Sequence, residues 1–183
     1  MHAFRTLLCL TALGLGAGVN ADQDDPRLEE LFEKLQRATD LVEAAPTEEL
    51  IWQIWIEHAD SGIASQMRTG IAQMSVNDLP AALATFDRLV ATAPDFAEAW
   101  NKRATIHYLM GNYAASEADI VKTLQLEPFH FGALSGRGLV LLSQGKYLEA
   151  RNAFTRALEV HPNMPSVRAN IDEINRYLDS RTI

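Results

Sequence analysis

Residues 131–164 read FGALSGRGLVLLSQGKYLEARNAFTRALEVHPNM. A stretch of small and apolar residues runs to Gln144-Gly145, a second runs from Tyr147 to Val160, and a proline follows at 162. Both stretches have helical length, and a glycine between them closes the end of a helix cheaply because it accepts a left-handed backbone. The same pattern recurs upstream. Pro94, Pro128 and Pro162 are spaced by 34 residues, and other positions keep the same register. Phe86, Ile120 and Phe154 align, as do Ala82, Ser116 and Ala150, then Gly70, Ala104 and Gly138, then Asn77, Gly111 and Gly145. Self-similarity at a fixed period of this length is the mark of a stacked repeat architecture. The units are 63–96, 97–130 and 131–164.

The chemistry of the aligned positions explains the period. Each unit is expected to form two antiparallel helices. Small residues at Gly70, Ala104 and Gly138 and at Ala82, Ser116 and Ala150 let the helices approach, and Trp100, Phe86 and Phe154 fill the space beside them. A single hairpin cannot bury its own apolar face, so neighbours must stack. Each proline stops the second helix or opens the next connection. Asp95 and Glu98 are spaced as a reciprocal helix-start pair.

Leu134, Gly138, Gly145, Tyr147, Ala150, Phe154, Ala157 and Pro162 in the last unit resemble the tetratricopeptide repeat family. Trp100, Ala104, Gly111, Tyr113 and Pro128 carry the resemblance in the middle unit, and Gly70, Ala82, Phe86 and Pro94 in the first. The resemblance implies an all-α, right-handed α-solenoid of helical hairpins.

The flanks extend the array. Asp25-Pro26 suits a helix start, and Leu28, Leu31, Phe32, Leu35 and Leu41 follow at helical spacing. A second apolar helix, with Ile51, Trp52, Ile54 and Trp55, is expected after Pro46. Residues 22–62 are thus predicted to form an N-terminal helical hairpin covering the N-terminal end of the array. Residues 165–183 hold a capping helix with Val167, Ile171, Ile174 and Leu178 on one face.

Residues 1–21 read as a cleaved secretory signal peptide: Arg5 in the first segment, an uncharged apolar run Thr6–Val19, and the small-residue ending Val19-Asn20-Ala21. The expected location is periplasmic or secreted, with no membrane anchor after cleavage, since the run is shorter than the roughly 20 residues a spanning helix needs. The only cysteine, Cys9, leaves with the leader, so disulfides and cysteine-based sites are excluded. Cleavage removes one arginine and no acid, which moves the net charge from −8 to −9. Such a balance argues against nucleic acid as a partner and against docking on anionic lipid.

No catalytic motif is present: no nucleophile elbow, no phosphate-binding glycine loop and no His-Glu-x-x-His. The reading is therefore non-enzymatic, with no metal, cofactor or small-molecule substrate expected. The resemblance implies a protein or peptide partner on the concave face, lined by the first helix of each unit. By position this groove comprises Met67, Ile71 and Met74, then Glu98, Asn101, Thr105 and Tyr108, then Leu139. Apolar, methionine-bearing walls adapt to peptides. The family's carboxylate clamp, which uses Lys, Asn, Asn, Lys and Arg, is not expected, because the corresponding residues are Met67, Ile71, Lys102, Gly132 and Gly136. The alternative reading is a structural assembly factor that acts through its outer face, with the groove filled by its own chain.

Two departures stand out. Arg103 and Arg137 both occupy a position where the repeat usually carries a buried Leu, and a buried guanidinium needs a partner; Asp119 and Glu117 are candidates for Arg103. The link Phe129-His130-Phe131-Gly132 is apolar where such links are usually polar, so it is either wedged into the core or edges a binding site.

Overall fold

The computed structural model describes residues 25–181, and the expected leader at 1–21 lies outside them. The described residues form nine helices and no strand: α1 Arg27–Arg37, α2 Leu41–Ile56, α3 Ser61–Ser75, α4 Leu79–Thr92, α5 Ala97–Leu109, α6 Tyr113–Leu126, α7 Phe131–Ser143, α8 Tyr147–Val160 and α9 Pro165–Asp179. The pairs α3/α4, α5/α6 and α7/α8 are the three repeats, and α9 packs on α8. None of these helices is long and apolar enough to cross a membrane.

The turn inside each repeat is built alike. Asn77, Gly111 and Gly145 have φ of 59°, 76° and 71°. The next residue's N–H then reaches back to a carbonyl of the helix just ended: Asp78 to Gln73, Asn112 to His107 and Lys146 to Leu141, at 2.8–2.9 Å. This closure satisfies carbonyls that would otherwise be orphaned at a helix end.

The small residues on the first helices serve side chains more than backbones. A Cβ on Gly70 would collide with the Phe86 ring, and one on Gly138 with the Phe154 ring. The middle repeat keeps the balance by pairing the larger Ala104 with the smaller Ile120 in one cluster. Ser116 ties the same two helices by donating its hydroxyl to the Ala104 carbonyl at 2.8 Å.

The N-terminal hairpin departs from expectation in two ways. First, α2 begins at Leu41 and contains Pro46. Asp40 caps it by accepting from the Glu43 N–H at 2.9 Å, a start signal strong enough to place the proline in the second turn. Second, the hairpin does not sit on the N-terminal end of the array as a fourth stacked unit; α2 runs across the connections between repeats. Ile56 packs into the first-repeat core. His58 meets Phe96 at 5.2 Å, Trp55 and Trp52 meet His130 and Phe131, and Glu48 reaches His161 at 3.2 Å. Phe32 on α1 packs on Phe129 at 5.8 Å, and Asn163 donates to the Ala38 carbonyl at 2.7 Å. The cause lies in the links themselves. They carry aromatic and histidine residues, and the buried face Ile51, Ile54 and Trp55 of α2 joins one core with Phe131.

Candidate functional site

The eight residues placed in the groove by position do not share one environment. Asn101, Thr105, Tyr108 and Leu139 come together around one cavity of about 70 Å³ between α5 and α7, floored by Ser116 and Ile120. Gly132 and Gly136 line its α7 side. Thr105 is exposed there, and Tyr108 and Leu139 are half-buried. Ile71 and Met74 are half-buried against the first-repeat core.

Met67, Glu98 and Asn101, placed on the groove wall by position, are buried, with exposures of 0%, 1% and 7%. Met67 is a core residue of the first repeat. Glu98 and Asn101 are shut in because α2 lies over their end of the groove. Trp52 sits against Gly132, where a Cβ would strike its ring, and the Lys102 ammonium stands 5.1 Å from the Trp52 ring centre.

Instead of closing a reciprocal helix start with Asp95, the Glu98 carboxylate faces inward, with Lys102 Nζ at 2.7 Å, the Asn101 amide donating at 2.7 Å and His130 Nε2 at 2.8 Å. His130 Nδ1 accepts the Ala133 N–H at 3.1 Å and so caps α7. A ring nitrogen that accepts carries no proton, so the proton of this imidazole sits on Nε2 and is donated to Glu98. The buried charge of Glu98 is therefore balanced by Lys102 and by the hydrogen bond that His130 donates. Burial alone would push the Glu98 carboxyl up, but the Lys102 charge and the His130 hydrogen bond outweigh it and hold it at about 2. Asn101 is also committed here, so its amide does not face an incoming partner.

The two arginines find acids. Arg103 makes two bonds to Asp119, at 2.8 and 2.7 Å, and one to Asp87 at 3.0 Å. Glu117 pairs with Arg137 at 2.8 Å rather than with Arg103. Among the described residues no group of three or more His, Asp or Glu side chains is placed to hold a metal ion.

Comparison with known families decides the identity. Tetratricopeptide repeat models match residues 67–129 and residues 131–164. The chain belongs to the tetratricopeptide repeat (TPR) family. A TPR repeat-containing protein of Rhizobium etli is 37% identical over 136 residues, which cover 74% of this chain and 67% of that protein. Human DnaJ homolog subfamily C member 3 is 31% identical over 104 residues, 57% of this chain but only 21% of that protein's length. Among solved TPR structures, the first TPR domain of Spaghetti bound to an HSP90 peptide superposes with a TM-score of 0.63 at 21% identity, covering 66% of this chain and 96% of that one. MamA (MSR-1) covers 84% of this chain and 85% of its own at a TM-score of 0.56 and 20% identity. At that identity the likeness is one of fold.

The TPR fold does not bring a carboxylate clamp with it. Of the five corresponding positions, Met67 is core, Lys102 is held by Glu98, and Gly132 lies under Trp52. The TPR pattern also gives no warning of the covering hairpin. The available signal was the pairing of unusual residues, a Trp52/Trp55 face on one side and the Phe129–Phe131 and His161 links on the other.

Proposed function

We propose that this chain is a non-catalytic protein-binding scaffold of the cell envelope, periplasmic after removal of its leader, whose partner polypeptide enters the cleft between α5 and α7. The observation that carries this reading is the convergence of Thr105, Tyr108 and Leu139 on an accessible, largely apolar cavity beside a groove end that the chain itself closes. An apolar side chain of the partner fills the cavity, and the Tyr108 hydroxyl supplies orientation. Peptide binding by a domain of the same fold supports the class of function. The lack of the clamp residues argues for an internal apolar segment as occupant rather than an acidic C-terminal tail. The leader-like residues 1–21 support the envelope location.

A second reading, an assembly factor acting through its outer face, is favoured by one observation: α2 already occupies the groove end around Gly132. Affinity capture from the native envelope, quantified by mass spectrometry with wild type, Tyr108→Ala and a control at the exposed Gln125, Gln125→Ala, separates the two. Tyr108→Ala is expected to weaken capture by about 1–3 kcal/mol, as for an aromatic anchor, while Gln125→Ala leaves it unchanged. Equal capture by all three moves the contact to the outer face. Intact mass of the exported protein tests the location, with Asp22 expected as first residue.

A further inference from the structure

Arg103 and Arg137 stand one repeat apart in the same register, yet their surroundings differ. Arg103 spends all three of its nitrogens on Asp119 and Asp87. In the next repeat the positions of those two acids, 34 residues on, are Ala153 and Val121. Arg137 keeps a single bond from Nε to Glu117, and its two terminal nitrogens hydrogen-bond no acid among the described residues. Its side chain is 36% exposed, against 18% for Arg103. Where Asp119 sits in the middle repeat, the last repeat has an open cleft of about 400 Å³ lined by Ala153.

Two further cations border this cleft, Lys146 and Arg156, and neither makes an ion pair within the described residues. Glu117 and Glu149 are the acids on its wall, so cations outnumber acids in a protein whose net charge is −8. The floor is apolar, from Leu134 and Leu141. Free guanidinium donors above an apolar floor recognise a carboxylate attached to an apolar carrier, and a guanidinium binds that anion through two parallel bonds.

We propose that the cleft between α6, α7 and α8 is a second binding site, separate from the α5/α7 cavity, which accepts an acidic side chain of a partner polypeptide on Arg137. The middle repeat holds an internal copy of this arrangement in Arg103 and Asp119; with Glu117 on Nε and Ala153 in place of the aspartate, the carboxylate for the terminal nitrogens of Arg137 comes from outside. Lys146 and Arg156 attract the acidic segment, and the apolar floor takes its neighbouring side chains.

The test uses the full chain labelled with ¹⁵N and three probes, acetyl-Leu-Glu-Leu-amide, its Gln counterpart and acetate, followed by NMR. Saturable shifts at the 153 and 156 amides and at the Arg137 side chain are expected with the Glu peptide, and affinity at least about tenfold lower with the Gln peptide. Acetate is expected to bind at least about tenfold more weakly than the Glu peptide, because it leaves the apolar floor empty. Ala153→Asp rebuilds the middle-repeat arrangement and should abolish binding by supplying the chain's own carboxylate. Arg137→Leu restores the residue usual at this position and should do the same in a folded protein. Equal binding of the Glu and Gln peptides, equal binding of acetate, binding that survives both substitutions, or no saturable shift would each overturn the proposal.

Discussion

The His130 imidazole lies flat on the Trp55 indole, with ring centroids 3.9 Å apart and planes inclined by 12°. This stack joins the second helix to the link before α7, and it explains two features at once. It gives the apolar link a structural purpose, and it fixes where the N-terminal hairpin crosses the groove.

Removing the indole should cost more than an ordinary surface change. Trp55 is 1% exposed and packs on Phe131 and Phe32 as well as His130. Trp55→Ala is expected to lower unfolding free energy by about 3–5 kcal/mol, as for other large-to-small core changes. Urea denaturation measures it. A loss no larger than that of an exposed-site change would show that the hairpin is not seated on the link.

Acid should loosen the same region through Glu98. Its carboxyl is held at about 2 in the folded chain, below its ordinary value of 4.5. The stabilisation is complete above 4.5 and is lost as the pH falls from there toward 2. One pKa unit is worth about 1.4 kcal/mol, so the lost term is on the order of 3 kcal/mol. Urea midpoints for wild type should therefore drop steeply below pH 4.5. Glu98→Gln, which cannot titrate, should start lower at pH 7 and decline less. Parallel pH curves for the two proteins would contradict this.

The repeats should tolerate a paired exchange better than a single one. Gly138→Ala places a methyl group on the Phe154 ring, and overpacking of this kind costs about 1–3 kcal/mol. Adding Phe154→Ile recreates the Ala104/Ile120 pair of the middle repeat and should recover part of the loss. Thermal melts of the single and double variants check the coupling, and simple additivity would argue against it.

The period of 34 residues made the repeats legible, because aligned small, aromatic and left-handed positions are local requirements that the sequence must meet in each copy. The seat of the hairpin was not legible in the same way. It depends on Trp52, Trp55 and Glu48 meeting Phe131, His130 and His161 across long sequence separations, and helical periodicity is silent about such pairings. The odd composition of the 129–131 link did mark the place, leaving open whether it was core or edge. The candidate groove was half legible. Thr105, Tyr108 and Leu139 share a cavity as their repeat positions imply, while Glu98 and Asn101 are held in a buried network with His130 that the hairpin covers. Arg103 found Asp119 because the pair lies on consecutive helices of one repeat, at a spacing of 16 residues.

The account rests on a groove closed at one end by its own hairpin and open to a partner at Tyr108. Photo-crosslinking tests both halves together, with a photoreactive phenylalanine placed at position 52 or at position 108 of the full chain in its native envelope. The account predicts an intrachain adduct from position 52 on the 130–132 segment, and an adduct with a different polypeptide from position 108. A position-52 adduct on α3 or α4, or a foreign polypeptide captured at 52 and none at 108, would contradict it.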